Sequence, residues 1–292
     1  MSLLLIFIDG IGIGTRGDHN PLTAVESQLF SIFQGEAHHL PFDGRCAITD
    51  ATLGVEGLPQ SATGQTTILT GENGAAHISR HLNGFPSPRL KNLLAEHSIY
   101  KKLISRGRSV TFANAYTPSY FEKPPRFVSA TTFAAESAGV RLRTLDDLAR
   151  GEAVFHDFTN KTLIDRACTV PPRTPEEAGA NLARLAESND FTLYEHFMTD
   201  RMGHDRDHKL AREHLRNLDR FVTSVLESID LTRETVVITS DHGNIEDLST
   251  RSHTMNPVAT LAFGPASGFV ASRVRALTDI TPAIVDVVSE CG

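Results

Sequence analysis

At four places along this chain, Asp and His residues adjoin a short apolar run. They are Ile6-Phe7-Ile8-Asp9-Gly10, Phe197-Met198-Thr199-Asp200 running on to His204, Val236-Val237-Ile238-Thr239-Ser240-Asp241-His242-Gly243, and His253 just ahead of the run at Thr260. Such short runs, rich in β-branched and aromatic residues, read as buried strands. In open parallel α/β sheets, ligands gather outside the carboxyl ends of the strands. Asp9, Asp200, His204, Asp241 and His242 are therefore expected to converge on one sheet edge, although they are scattered in sequence. With His253 they make three Asp and three His, enough for two divalent cations. Carboxylate and imidazole suit Zn, Mn or Fe. The chain holds 13 His against 4 Tyr and no Trp, a surplus in the same direction.

Between the apolar runs lie amphipathic helical patterns. Helices are expected over Ser61–Leu69, Leu90–Arg106, Glu176–Glu187, Leu210–Ile229 and Asp279–Val288, and strands over Leu3–Ile8, Ser109–Ala113, Phe191–Phe197, Thr235–Thr239 and Thr260–Phe263. Strands alternating with helices imply an α/β three-layer sandwich, a mainly parallel central sheet with helices on both faces. Residues 116–170 break the rhythm with Pro118, Pro124 and Pro125, a Thr/Ala/Ser-rich stretch and a close at Pro171-Pro172. They read as a small inserted cap or lid, leaving a core of residues 1–115 and 171–292. A long excursion within a single domain is the plainer alternative.

The 28 basic and 35 acidic side chains leave a net charge of -7, which argues against a nucleic-acid polymer as partner. Cys46, Cys168 and Cys291 are widely spaced and form no CxxC, so a reducing, cytoplasmic setting is expected. The apolar opening Leu3–Ile8 lacks a basic lead and a cleavage site, and no run approaches the ~20 apolar residues of a membrane span. Neither a signal peptide nor a membrane partner is expected.

A fifth segment, Leu58-Pro59-Gln60-Ser61-Ala62-Thr63-Gly64, places Ser61 where a helix begins. Backbone N–H groups and the helix dipole favour a phosphate there, and a nearby divalent metal would make the hydroxyl a nucleophile. A plain N-cap is the simpler reading of Ser61, and Thr63 is a rival nucleophile on local grounds. Plainer readings exist for the other candidates too. Asp9 can cap a turn, Asp241-His242-Gly243 can be a turn, His253 can sit in a surface loop, and Asp200 with His204 can be a solvated helix pair. Their joint occurrence at strand ends weakens each of these. Gly10-Ile11-Gly12-Ile13-Gly14-Thr15 superficially matches a dinucleotide loop. Thr15 stands where the third Gly belongs, and Asp9 would repel a pyrophosphate.

Together, Asp9-Gly10, Ser61-Ala62-Thr63-Gly64, Asp200-x-x-x-His204, Asp241-His242-Gly243-Asn244 and His253-Thr254-x-Asn256-Pro257-Val258 resemble the alkaline phosphatase superfamily. The likeness is to the branch of cofactor-independent phosphoglycerate mutases and phosphopentomutases. It implies an alkaline phosphatase-like core with two divalent metal ions, Zn or Mn. Asp200, His204 and His253 would hold one ion. Asp9, Asp241, His242 and the Ser61 oxygen would hold the other. Ser61 would carry the phosphoryl group in a phosphoserine intermediate, which disfavours Thr63, and a small phosphorylated molecule would be the substrate. His208 falls outside the pattern and reads as a solvated helix residue. The mutases of this branch enclose their substrate with a large inserted domain, whereas the insert here spans only about 55 residues. Hydrolysis of a phosphate mono- or diester is therefore favoured, with a phosphomutase as the alternative and a non-catalytic metal or phosphate binder as a third reading. Arg80, Arg89, Arg126, Arg141 and Arg143 are open as anion contacts, each with solvated surface Arg as the plainer reading.

Overall fold

The computed structural model describes residues 2–290; Cys291 lies outside them. Its strands, in chain order, are β1 (Leu3–Ile8), β2 (Arg45–Thr49), β3 (Val110–Phe112), β4 (Ala115–Tyr116), β5 (Arg143–Thr144), β6 (Phe191–His196), β7 (Thr235–Thr239) and β8 (Val258–Phe263). Six form one sheet in the order β2-β8-β7-β1-β6-β3, and β4 pairs with β5. β7, β1, β6 and β3 run parallel, while β8 is antiparallel to both β7 and β2. The start of β8 therefore shares a sheet edge with the ends of β1, β6 and β7.

β1 shows why the chain must layer. Leu3, Leu5 and Phe7 enter one apolar core with Ile68, Leu94, Tyr100 and Ile284. Leu4, Ile6 and Ile8 enter a second with Leu182, Leu215, Phe221 and Val225. Every side chain of β1 is buried, because helices cover both faces of the sheet. The first core is roofed by helices Ser61–Thr70, Pro88–His97 and Ile280–Glu290, the second by Pro175–Glu187 and His208–Ser228. This is the expected three-layer sandwich. Asp207 caps the helix that begins at His208, accepting from the Lys209 and Leu210 amides, an arrangement worth about 1 kcal/mol.

Two local expectations are corrected. The span Leu90–Arg106 forms two helices, Pro88–His97 and Ile99–Ile104, rather than one. Ser98 between them has an extended ψ of 150°, and its hydroxyl accepts from the Lys101 amide, so it caps the second helix and cannot continue the first. β2 was not anticipated. It is an edge strand with Arg45 and Ile48 exposed and Ala47 and Thr49 buried, and its short mixed sequence carries little apolar signal. The other helices and strands named from the sequence lie at the expected places, with ends shifted by a few residues, while Gly74–Ile78, Met198–Asp205 and Ser267–Arg273 are further helices that were not anticipated.

Residues 116–170 pack in three directions. Ala130, Ala134, Ala135 and Leu142 join the first core, and Val154 and Phe158 the second. Leu148, Ala153, Phe155 and Leu163 form a small cluster of their own with Ala115. The Tyr194 hydroxyl donates to the Phe155 carbonyl at 3.0 Å, fixing this segment against β6 near the edge where Asp200 follows. Among the described residues, no helix is long and apolar enough to cross a membrane.

Candidate functional site

The sheet edge assembles the site because the strands end in register. Ile8 lies opposite His196, and Phe7 opposite Thr239. Asp9, the helix beginning at Met198 and the Ser240-Asp241-His242 turn therefore emerge side by side. Gly10 makes the approach possible. Its φ is +73°, and a Cβ there would lie 2.8 Å from the Asp200 Cα. Gly64 plays a similar part in the Ser61 helix, where a Cβ would lie 2.9 Å from the Asp241 Cβ. The amides of the loop Gly10–Gly14 are taken up by the protein's own groups rather than left open for a pyrophosphate. The Gly12 amide donates to Glu246 Oε2 at 2.9 Å, so the dinucleotide reading fails on geometry as well as on sequence.

All seven sequence candidates lie in this region. His253 Nε2 and His204 Nε2 stand 3.3 Å apart, and Asp200 faces both, at 3.3 and 3.4 Å respectively. His242 Nε2 stands 3.2 Å from Asp9 Oδ1, 3.6 Å from Asp241 Oδ2 and 3.0 Å from the Ser61 hydroxyl. Two sets could each hold a cation: Asp200 with His204 and His253, and Asp9 with Asp200 and His242. Asp200 belongs to both. His204 is exposed on its helix, yet it and Asp200 both face His253, which is a buried residue rather than a surface loop His.

The backbone orients the imidazoles. Nδ1 of His253 contacts the Pro59 carbonyl at 2.9 Å, that of His204 the Arg251 carbonyl at 3.1 Å, and that of His242 the Gly243 carbonyl at 3.4 Å. A carbonyl accepts only from N–H, so each Nδ1 carries a proton and each Nε2 is turned inward, where it can serve as a ligand. Two buried carboxylate oxygens, Asp9 Oδ1 and Asp241 Oδ2, have no hydrogen-bond partner although His242 is close by. Unpaired buried carboxylate oxygens are costly unless a cation meets them. The donor set therefore fits the metal ions that the sequence implies.

The electrostatics agree. Burial alone would lower the pKa of His242, but the Asp241, Asp9 and Asp200 carboxylates outweigh it and raise the value to about 10. Burial, reinforced by the Asp9 charge, pushes the Asp241 carboxyl well above its ordinary range. Burial also opposes ionisation of Asp200, yet its contacts with His253, His242 and Asn244 hold it at about 2.

Ser61 is the first residue of its helix rather than the cap. Gln60 occupies the cap position and makes no side-chain cap bond, while the Ser61 hydroxyl turns to His242 instead. Thr63 is committed elsewhere, donating to the Gln60 carbonyl at 3.0 Å. A cavity of about 500 Å³ opens over Asp9, Ser61 and Asp200, with residues 115–132 forming part of its wall. His208 opens its helix outside the site.

Several site residues escaped sequence reasoning. Gln65 donates to Asp9 Oδ2 at 3.0 Å; its i+4 spacing from Ser61 on one helix was the available signal. Asn244 Nδ2 donates to Asp200 Oδ1 at 2.6 Å. Glu246, fully buried, accepts from the Gly12 and Asn244 amides and from Asn256, pinning the loop that carries His242 and His253. Glu195 lines the cavity with its carboxyl raised to about 7. Burial is the main cause, Asp9 adds to it, and the Thr131 and Ser129 hydroxyls oppose it. The arginines that line the cavity are Arg166 and Arg201, not those the sequence pointed to. Arg141 binds Asp147, Arg143 binds Thr111 and the Glu152 carbonyl, Arg89 binds the His77 carbonyl, and Arg126 lies over Phe127.

Compared with known proteins, residues 1–289 match the sequence profile of the Metalloenzyme superfamily. The chain belongs to that superfamily. Its relatives include the 2,3-bisphosphoglycerate-independent phosphoglycerate mutase of Halobacterium salinarum, 32% identical over 153 residues, which are 47% of this chain and 30% of the relative. The corresponding mutase of Desulforudis audaxviator is 30% identical over 118 residues, 38% of this chain and 23% of the relative. The matches thus span less than a third of either mutase. Among solved structures, the PH0037 protein of Pyrococcus horikoshii superposes with a TM-score of 0.59 at 16% identity, covering 100% of this chain and 97% of the other. The alkaline phosphatase of the Antarctic bacterium TAB5 gives 0.57 at 13% identity, over 99% and 98%. The sequence matches are thus to phosphoglycerate mutases, and the fold is shared with an alkaline phosphatase, both of which the resemblance had implied.

Proposed function

We propose that this metalloenzyme hydrolyses a phosphate mono- or diester through a phosphoserine on Ser61. The observation that carries the reading is the position of the Ser61 hydroxyl. It sits in the first turn of a helix, 3.0 Å from His242 Nε2, at a cavity shared with Asp9 and Asp200. Asp200, His204 and His253 would hold one divalent cation, and Asp9, Asp241, His242 and Ser61 the other. When bound, such cations neutralise phosphoryl oxygens and lower the pKa of a serine hydroxyl. The N-terminal amides of the Ser61 helix add positive potential where phosphate charge accumulates. Gln65 and Asn244 orient the Asp9 and Asp200 carboxylates, so little reorganisation accompanies the reaction. Ser61 Oγ attacks phosphorus in line, one alcohol departs, and water then releases phosphate from the serine, or the remaining monoester where the substrate is a diester.

The short 116–170 segment favours water as the final acceptor, since a small cap encloses less than the large inserted domain of the mutases. The mutase relatives support a second reading, in which the phosphoserine returns its group to another hydroxyl of the same molecule. A small phosphorylated substrate fits both readings, and Zn or Mn fits the donor set.

A panel of phosphate esters and sugar phosphates, assayed with Mn(II) and with Zn(II), tests the proposal. Phosphate release that falls at least about a thousandfold in Ser61→Ala is expected. Positional isomerisation without phosphate release would replace the hydrolase with the mutase. No turnover of any ester under either metal would refute both.

A further inference from the structure

Phe85 and Phe127 stand in solvent, 51% and 53% exposed, yet they stack on each other, with ring centroids 5.8 Å apart and planes within 18°. Among the described residues, no other ring stack has both members exposed. The two rings come from different parts of the chain. Phe85 follows the helices that begin at Ser61 and Gly74, and Phe127 lies in the 116–170 segment. Phe85 also lines the cavity over Ser61, so the stack stands at its rim. Single exposed apolar side chains are ordinary, but two in contact at the rim of a cleft mark a surface built to be covered.

Phe85 and Asn83 belong as well to a second groove of about 450 Å³, which Leu82, Pro86, Arg126 and Phe127 help to line. A molecule whose phosphoryl group meets Ser61 can therefore continue past Phe85 into this groove. The stack is held rigidly. Pro86 and Pro88 follow Phe85, and Pro124 and Pro125 lie just ahead of Phe127, so the backbone beside each ring has fixed φ angles. The inner wall has the same character. Tyr116 and Tyr120 line the cavity with ring centroids 4.6 Å apart. The Tyr116 hydroxyl is bonded to Thr132 at 2.6 Å, and that of Tyr120 donates to Glu136 at 3.1 Å, so their rings rather than their hydroxyls are left for a ligand. Arg126, 5.2 Å from the Phe127 centroid, adds a cation that favours a further π-face.

We propose that Phe85 and Phe127 form a slot for a planar aromatic group on the leaving-group side of the phosphate ester. The inference rests on the proposed reading of Ser61 as the phosphoryl acceptor, and it narrows the substrate class to esters that carry an aromatic ring, whether an aryl alcohol or a nucleobase. Aromatic rings gain from offset or edge-to-face contact beyond the area they bury, and saturated hydrocarbon does not. Two rings already fixed in place lose little freedom when a third packs on them. A groove that took up hydrocarbon alone would hold a saturated ring at least as well as a flat one.

Equilibrium binding tests this apart from turnover. Phenylethyl-, phenylpropyl- and phenylbutylphosphonate would be titrated calorimetrically into the Mn(II)-loaded protein, each against the cyclohexyl compound with the same linker. At least one phenyl compound is expected to bind about tenfold more tightly than its partner, and this advantage should fall below about threefold in Phe85→Leu and in Phe127→Leu, which keep apolar bulk and lose the ring. Equal affinity within every pair, or tighter binding of the cyclohexyl compounds, would overturn the slot. So would an advantage that survives both substitutions, or a loss that weakens both members of a pair alike, which would make the two Phe residues supports of the loop rather than stacking partners. Adenine-tipped phosphonates on the same linkers separate the two sources of the ring: tighter binding than phenyl assigns a nucleobase, weaker binding an aryl alcohol, and both uphold the slot. The phosphonates are not hydrolysed, so an inactive but binding enzyme would refute the hydrolase without touching this result.

Discussion

Replacing Glu195 with Gln isolates the cost of keeping a carboxylate buried at this site. Glu195 is 6% exposed as the second-last residue of β6, and its pKa is raised from 4.5 to about 7. Burial dominates that rise, the Asp9 charge adds to it, and the hydroxyls of Thr131 and Ser129 only partly offset it. The folded protein therefore keeps a proton between pH 4.5 and about 7 that the unfolded chain has released. Stability from this group is fully present below pH 4.5 and is lost as pH rises through 7. A displacement of this size corresponds to about 3 kcal/mol. Glutamine keeps the shape of the protonated acid and cannot ionise. Urea unfolding of the metal-free wild type and Glu195→Gln should give similar stabilities near pH 4.5, and the variant should lead by about 3 kcal/mol at pH 8. His242 and the other titrating groups are common to both proteins and largely cancel in the difference. Parallel stability curves across that range would refute the reasoning, because they would mean that Glu195 ionises in the fold as easily as in water.

Three further outcomes are expected. Asp241→Asn should bind one divalent ion fewer by elemental analysis, since it removes charge beside His242 while leaving Asp200, His204 and His253 intact; two ions bound as before would contradict the assigned ligands. With His242 raised to about 10, a cation must displace its proton at neutral pH, so Mn(II) affinity should climb roughly tenfold per pH unit from 7 to 9 by competition with a chelator; a flat profile would count against His242 as a ligand. Asp147 is held at about 2: burial opposes its ionisation, but the Arg141 bond and the Thr144 amide prevail. Its contribution, about 2 kcal/mol, is present above pH 4 and lost as pH falls through 2, so the stability gap between wild type and Asp147→Asn should close over that window.

What could be read from the sequence and what could not divide along a physical line. Asp9 and Asp241 stood out because a carboxylate that ends an apolar strand needs a reason to be there, and strand ends in a parallel sheet share one edge. His253 was found by the same logic applied to the start of a strand, which works only because β8 runs antiparallel to β7. Ser61 was located by its helix start, although its hydroxyl leaves the backbone for His242. In each case a local pattern carried the information. Ser98 misled because the same apolar spacing continues across it, while its own hydroxyl offers the chain a new helix start. Glu195 looked like one more polar residue in a strand, and Arg166 and Arg201 like surface arginines among 28 basic side chains. Their properties are not local. Glu195 is held near neutrality by what covers it, and Arg166 and Arg201 are exposed residues whose place on the cavity wall only the fold reveals. Since Arg141 meets Asp147 six residues along the chain, that pairing was open to inspection, whereas the place of Arg166 at the cavity is a fact about the whole fold. Residues that act through a fixed geometry with near neighbours can thus be proposed from spacing. Residues that act through burial, or that reach the cavity from distant segments, require the surroundings.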